Sequence, residues 1–264
     1  MGVINVTPDS FSDGGAFLDP RAAIAHGEAL VADGADILDI GGESTRPGAE
    51  PVSDREEQRR VLPVISGLRD RGTPISVDTR RAATMTAAVE AGAAIINDVS
   101  ALSYHEDSLG VAASLNVPVI LMHARGDPRT MQDNPQYDDV VLDVYDYLAA
   151  RVEAAVAAGI ARDRIIVDPG IGFGKTLSQN LALLDGIGIF HGLGCPVMLG
   201  ASRKSFIGKI TGEARATARL PGSLGVAVLA RLQGVQIFRV HDVAETVQAL
   251  GVAQALLSGA ETTD

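Results

Sequence analysis

The sequence has little cysteine, few aromatic residues and fewer positive than negative charges. One cysteine, Cys195, stands among 264 residues, so neither an intrachain disulfide nor a cysteine-based zinc site can form, and we expect a reducing compartment. The formal net charge of −11 argues against nonspecific binding to nucleic acid or to anionic membranes, because both need a dense cationic face. An anionic substrate would therefore need a local basic cluster.

Long apolar runs are also missing. The stretch at residues 117–122 is among the longest, far below the roughly 20 residues that span a bilayer. The start, Met1-Gly2-Val3-Ile4-Asn5, lacks the basic and apolar pattern of a secretion signal. We therefore predict a cytoplasmic protein that has no membrane segment.

Short β-branched runs alternate with alanine-rich helical stretches along the whole chain. Several helical stretches end at a glycine that leads into the next run, as at Gly34, Gly92, Gly159 and Gly234. Helix starts are marked by Pro20 and by a capping-box spacing at residues 53–56. Repeated βα units with eight strands are predicted, at residues 2–6, 36–40, 74–77, 94–99, 117–122, 164–167, 196–199 and 236–240.

Polar side chains follow nearly every predicted strand. An open doubly wound sheet would concentrate its ligand chemistry after one strand, whereas polar groups after successive strands converge only if the sheet closes. We therefore predict an α/β fold of the (β/α)₈ TIM-barrel type. No linker composition divides the chain, so a single domain is expected over residues 1–257, with a frayed tail at 258–264.

Three glycine-rich segments after strands are candidate substrate loops, at residues 5–15, 41–48 and 168–176. Phe11 stands among polar residues and is a candidate ligand contact, with local packing as the alternative. The third loop fails as a nucleotide P-loop because Pro169 occupies its first glycine position. Its glycines instead indicate close backbone approach to a flat ligand, with Phe173 as a stacking face and Asp168 as an acceptor. An ordinary glycine-rich βα turn is the alternative.

Positive charge collects after the strands despite the acidic total. The run Ser202-Arg203-Lys204-Ser205-Phe206 opens a predicted helix, whose N–H groups favour an anion. Arg46, Arg239 and His241 would add charge at the same rim, which suits a diphosphate.

Two carboxylates and an amide, from Asp78, Asn97 and Asp168, end three different strands and could bind a donor-rich heterocycle such as a pterin. Helix capping is the alternative for each. Asp39 could either cap a helix or support the site residues from behind. His123 could either take part in the chemistry or be a packing residue at a strand end. No histidine or cysteine cluster has zinc-ligand spacing.

Eight motifs occur along the chain in this order: NVTPDSFSDGG, DIGGESTRPGA, SVDT, INDVS, LMH, DPGIGFGK, GASRKSFIG and RVHDV. Through these motifs the chain resembles the dihydropteroate synthase family over nearly its whole length. This family condenses 6-hydroxymethyl-7,8-dihydropterin diphosphate with p-aminobenzoate, which gives 7,8-dihydropteroate and pyrophosphate for folate biosynthesis. The resemblance implies a homodimer through the C-terminal helices and a Mg²⁺ ion bound at Asn5.

The resemblance also implies roles for individual residues. Asp13, Arg46, Lys204, Arg239 and His241 would be catalytic. The remaining expectations are a pterin pocket of Asp78, Asn97, Met122, Asp168, Gly200 and Lys204; a diphosphate site of Asn5, Thr45, Arg46, Arg239 and His241; and a p-aminobenzoate site of Phe11, Pro47, Phe173 and Ser205.

Three other functions remain open from the residues. A pterin-binding methyltransferase barrel would share the acid-and-amide pocket but needs no diphosphate site. A catalytically silent pterin-binding partner would keep the pocket without turnover. A sugar-phosphate isomerase barrel would not need the aromatic faces of Phe11 and Phe173.

Overall fold

The computed structural model describes residues 1–7, 20–44, 51–126 and 130–259. Eight β-strands alternate with helices in these residues, as predicted. The strands are β1 (Gly2–Asn5), β2 (Leu38–Gly41), β3 (Ile75–Asp78), β4 (Ile95–Asp98), β5 (Val119–Met122), β6 (Ile165–Asp168), β7 (Met198–Leu199) and β8 (Ile237–Phe238).

Nine α-helices lie in the described part of the chain, and most follow a strand. They are α1 (Pro20–Ala32), α2 (Asp54–Leu68), α3 (Ala82–Ala91), α4 (Ser108–Leu115), α5 (Val140–Ala157), α6 (Leu177–Asp185), α7 (Ser205–Thr211), α8 (Leu220–Leu232) and α9 (Val243–Ser258). Short 3₁₀ helices cover Arg69–Arg71, Arg162–Arg164, Ile187–Leu193 and Ala216–Arg219. None of the described helices is long and apolar enough to cross a bilayer.

The sheet closes into a barrel. Strands β1 to β6 pair in parallel in chain order, and β7 pairs with β8. Parallel bridges join Val167 of β6 to Val197, just before β7, and Val240, just after β8, to Gly2 of β1. The Val3 amide donates to the Val240 carbonyl across the closing seam, at 3.0 Å. The predicted (β/α)₈ barrel is confirmed.

The strands alternate between an outer and an inner face because successive side chains in a strand point to opposite sides. Outward residues such as Ile40, Val77 and Leu121 are fully buried against the helices in the main core. Near the amino ends of the strands, the inner face forms a second apolar cluster of Met1, Ile95, Ile120, Ile166 and Met198, which we name the lower layer. The lower layer lies at the bottom of the barrel and packs beneath the inner side chains nearer the carboxyl ends of the strands.

Local signals for helix ends are mostly confirmed. Helix α1 begins at Pro20, and the four glycines predicted to end helices adopt positive φ, for example +121° at Gly92. The capping box at residues 53–56 is only half formed. The Ser53 hydroxyl accepts from the Glu56 amide at 3.3 Å, whereas the Glu56 carboxylate pairs with Arg59 and Arg60 instead.

The segment predicted as a frayed tail, residues 258–264, begins with Ser258, the last residue of α9. Residues 260–264 lie outside the described residues. The domain boundary at residue 257 stays a prediction.

Candidate active site

Toward the carboxyl ends of the strands, the inner face of the barrel becomes mostly polar. We name this set of residues the upper layer. It contains seven of the predicted site residues, each within one position of a strand end: Asn5, Asp78, Asn97, Met122, Asp168, Gly200 and Arg239. Parallel strands place their carboxyl ends at one mouth, so the barrel brings together residues that lie far apart in sequence.

An ion-pair network ties the upper layer together. The Arg239 guanidinium donates through Nε to Asp39 Oδ2 at 2.6 Å and through Nη2 to Asp78 Oδ2 at 2.8 Å. The Asn97 amide nitrogen lies 3.3 and 3.2 Å from the two Asp39 oxygens. Asp39, left open by the sequence, is therefore no helix cap. Its carboxylate is fully buried inside the barrel and supports two predicted site residues.

The single Arg239 guanidinium pairs with two carboxylates, Asp39 and Asp78, so the local charge does not cancel and the pKa values of Asp78 and Arg239 shift. Burial raises the pKa of Asp78 to about 7, and the nearby Asp39 carboxylate adds to the rise while Arg239 opposes it. Burial works against the charge on Arg239, yet Asp39 and Asp78 outweigh it and raise the Arg239 pKa. The mouth thus carries a fixed cation and a carboxylate that titrates near neutrality.

Asp168 and Gly200 extend the pocket on the opposite side. Burial raises the pKa of Asp168, against the effects of a hydrogen bond from the Gly170 amide and of the Lys204 charge. The Gly170 amide donates to Asp168 Oδ1 at 2.7 Å. A side chain at Gly200 would begin 3.8 Å from both Asp168 Oδ2 and Arg239 Cβ, so glycine keeps the space between them open.

Lys204 joins the predicted pterin and p-aminobenzoate regions. Its ammonium donates to the Ile171 carbonyl and lies 4.2 Å from the centroid of the Phe173 ring, within cation–π range. Burial lowers the Lys204 pKa to about 8, with Asp168 opposing the change. The amine therefore stays largely protonated at neutral pH, next to a half-buried aromatic face.

The glycines of the loop after β6 have a packing role. A Cβ at Gly170 would lie 1.9 Å from the His123 carbonyl, and one at Gly174 would lie 2.3 Å from the Arg125 carbonyl. Both glycines have positive φ, so they allow this loop to pack against the backbone that follows β5. Their approach to a flat ligand stays a prediction.

The loop is also held from within by Lys175, which sequence reasoning missed. Its buried amine donates to the carbonyls of Gly170 and Phe173 at 2.8 and 3.0 Å. It also lies 2.9 Å from Nδ1 of His123, whose pKa falls to about 3 through burial and the neighbouring Lys175 charge. His123 is thus a packing residue that shapes the loop, which answers the question left open by the sequence.

The residues of the basic segment after β7 contact different parts of the protein. Ser202 Oγ lies 3.0 Å from His241 Nδ1 and accepts from the His241 amide at 3.2 Å, which fixes the histidine beside the mouth. Arg203 instead forms an ion pair with Asp242 and is not part of the upper layer. Ser205 is the exposed first residue of α7.

The comparisons with known proteins agree with this geometry. The family model for pterin binding enzymes matches residues 1–241. The dihydropteroate synthase of Escherichia coli K12 is 46% identical over 262 residues, which is 99% of this chain and 92% of that protein. The chain belongs to the dihydropteroate synthases of the pterin binding enzyme family.

Solved dihydropteroate synthases share the fold. The Xanthomonas albilineans enzyme with 4-aminobenzoic acid has a TM-score of 0.92 and 50% identity, covering 97% of this chain and 92% of that one. The same organism's enzyme with 7,8-dihydropteroate has a TM-score of 0.89 and 46% identity over the same shares of the two chains. These relationships confirm the predicted family and go against the methyltransferase and isomerase alternatives.

Several residues expected in a dihydropteroate synthase site cannot be placed. Phe11, Asp13, Thr45, Arg46 and Pro47 lie outside the described residues. Their roles stay predictions, as do the roles of all the other site residues.

A buried cluster beside the second candidate loop, residues 41–48, was not predicted. Glu43 accepts from Arg81 at 2.9 Å, and the Val52 amide donates to Glu43 at 3.2 Å. Arg81 also donates to the Val52 carbonyl at 2.6 Å. These contacts connect residues on both sides of positions 45–50. The sequence carried no signal for them, because charges near a helix start are typical of solvent-exposed positions.

Proposed function

We propose that this chain joins 6-hydroxymethyl-7,8-dihydropterin diphosphate to p-aminobenzoate in folate biosynthesis, as a dihydropteroate synthase. One observation carries the proposal. The upper layer places the half-buried Asp78, the buried Asp168 and the buried Asn97 at the mouth of the barrel, together with the Arg239 guanidinium, which donates to Asp78. Such a site matches both the hydrogen-bond donors of a pterin ring and the charge of a diphosphate.

The pterin ring would lie on the upper layer. Asp78 and Asp168 would accept from the ring nitrogens, Asn97 would bind its edge, and Lys204 would lie beside it. Met122 supplies a buried apolar surface at the end of β5, in register with Asp168 of β6. Gly200 leaves room for the ring.

The diphosphate would lie above the ring, toward the rim. Arg239 and His241 would bind its oxygens, together with Arg46 and Thr45. Cleavage of the methylene–oxygen bond before attack leaves a cation shared with the dihydropterin ring and a departing diphosphate. Asp78 and Asp168 would stabilise that cation while the basic side chains stabilise the leaving group, so the catalysis would be mostly electrostatic. No covalent nucleophile is needed.

The residues present fit a Mg²⁺ ion that arrives with the substrate. No group of three acidic, histidine or cysteine side chains suited to a metal occurs in the described part of the chain. Mg²⁺ commonly binds one or two protein oxygens, substrate phosphates and water, so the Asn5 amide at the end of β1 is a suitable ligand. When bound, the ion would neutralise charge on the diphosphate.

The p-aminobenzoate molecule would bind beside the pterin. Phe173 offers an aromatic face next to Lys204, and Ser205 begins α7 close by in sequence. Phe11 and Pro47 would complete the site, and Asp13 would act from the first loop. An aromatic amine is unprotonated at neutral pH, so the reaction needs no strong general base.

The test is pyrophosphate release in the presence of the dihydropterin diphosphate, Mg²⁺ and p-aminobenzoate, with each omitted in turn. Release that requires all three and yields dihydropteroate supports the proposal, including its metal requirement. Release without Mg²⁺ would contradict the metal assignment alone. Well-folded protein that releases none would point to the silent pterin-binding partner.

We further propose a cytoplasmic homodimer formed through α8 and α9. Apolar side chains on these two helices are unusually exposed, with 62% exposure at Leu229 and 80% at Leu256. Sedimentation velocity over a range of concentrations should show a dimer, and Leu256→Glu should shift it toward monomer. A monomer at all concentrations would contradict this assembly.

A further inference from the structure

Asp39 connects residues that the proposed function gives to different parts of the substrate. Its two oxygens contact the Asn97 amide, which we assign to the pterin ring, and the Arg239 guanidinium, which we assign to the diphosphate. The three residues lie on β2, β4 and just after β8. No other described residue bonds to both of these side chains.

Asp39 is buried too deeply in the barrel to contact either substrate directly. Its exposed fraction is 0%, and it pairs in register with Ser76 on β3, one inward position below Asp78. Asn97 and Arg239 lie between it and the mouth. Its influence on a ligand must therefore pass through those two side chains.

Arg239 is divided between two carboxylates in different positions. Nε contacts the deep Asp39, whereas Nη2 contacts the shallower Asp78. A pterin ring that bonds to Asp78 competes with Nη2 for the same carboxylate. Because Nε would remain on Asp39, the guanidinium can turn its outer nitrogens toward the diphosphate without leaving the pocket.

We propose that Asp39 is a positioning residue that holds Arg239 by Nε and Asn97 by its amide, so that Arg239 can pass from Asp78 to the substrate diphosphate. This inference rests on the proposed function. Without the Asp39 charge, Asp78 is the carboxylate left to pair with Arg239. Arg239 then competes more strongly with the pterin ring for Asp78. Asn97 also loses the acceptor that orients its amide.

The test uses Asp39→Asn, which keeps the size of the side chain and removes its charge. Losing hydrogen bonds to a charged group changes affinity by about 10- to 100-fold. We expect the KM for the dihydropterin diphosphate to rise by about that factor with a lower kcat, whereas the KM for p-aminobenzoate changes less than about twofold.

The matched control is Ser76→Ala. Ser76 is the register neighbour of Asp39, is equally buried, and its hydroxyl has no hydrogen-bond partner among the described residues. This variant should leave both KM values unchanged. If Asp39→Asn does not fold, Asp39→Glu keeps the charge but displaces it, and should raise the same KM selectively.

Calorimetric binding of 6-hydroxymethylpterin provides a readout without turnover. It should weaken in Asp39→Asn and stay unchanged in Ser76→Ala. Equal changes in both KM values, or no change in pterin affinity, would overturn the positioning role. Wild-type protein that binds the pterin but releases no pyrophosphate would contradict the proposed function, and the binding series would still decide the role of Asp39.

Discussion

At the lower end of the barrel, the inner side chains are isoleucine and methionine, whereas most inner side chains near the carboxyl ends of the strands are charged or polar. Ile95 precedes Asn97 and Ile166 precedes Asp168 by two positions, while Met122 follows Ile120 and stays apolar. The lower layer contributes stability by burying apolar area. The upper layer carries buried charge, which is expensive to desolvate, and we propose that this charge is kept because the substrate uses it.

A deletion in the lower layer should separate stability from activity most strongly. Ile120 is fully buried in β5, so Ile120→Ala should lower the free energy of unfolding by about 2 to 5 kcal/mol. The kcat/KM of the protein that remains folded should change less than about threefold. Urea unfolding and initial-rate kinetics on the same preparation check this. A large loss of activity with little loss of stability would remove the distinction between the layers.

A deletion in the upper layer should do the opposite. Arg239→Ala removes the cation that we assign to the leaving diphosphate, so kcat/KM should fall by roughly 10²-fold or more. Arg162→Ala is the control. Arg162 also pairs with an acidic residue, Glu153, but on the outer surface before β6. Unchanged kinetics in Arg239→Ala would contradict the role of the upper layer.

A substitution at Phe173 tests whether separate residues at the barrel mouth bind the pterin and p-aminobenzoate. Phe173→Ala should raise the KM for p-aminobenzoate by about tenfold, with a smaller effect on the pterin, because the lost contact is an aromatic face. Steady-state kinetics with each substrate varied in turn would show this. The reverse pattern would contradict the assignment of Phe173.

The smallest expected effect is on pH dependence. Burial raises the pKa of Asp78 to about 7, and only the ionised carboxylate accepts from donors of the pterin ring on both oxygens. Affinity for 6-hydroxymethylpterin should thus fall about threefold as the pH drops from about 7.5 to 6.5. Asp78→Asn should bind weakly and lose this dependence. An unchanged profile in that variant would assign the titration to another group.

The sequence predicted the strands, the barrel and the upper layer for the same reason. Strand ends are marked by apolar runs that stop at polar residues such as Asp78 and Asn97, and parallel closure then places those residues at one mouth. The family resemblance added the division of roles among them. Partners brought together by three-dimensional packing could not be read in this way.

Asp39, Lys175 and Ser202 illustrate that limit. Asp39 has the pattern of a polar strand residue, but its bond to Arg239 joins positions 200 residues apart. Lys175 lies in a glycine-rich segment that resembles a P-loop only in part, and its side-chain amine bonds to two carbonyls of that loop. Ser202 belonged to a basic run, yet its contact is with His241. Such pairs form only in the folded protein.

The most direct test is a crystal structure of the protein with the dihydropterin diphosphate and Mg²⁺. We predict the pterin ring within hydrogen-bond distance of Asp78, Asn97 and Asp168. We also predict that Arg239 turns from Asp78 toward the diphosphate while its Nε stays on Asp39. A ring bound outside the barrel mouth, or an Arg239 that still bonds to Asp78 and leaves the diphosphate without contact, would contradict the account.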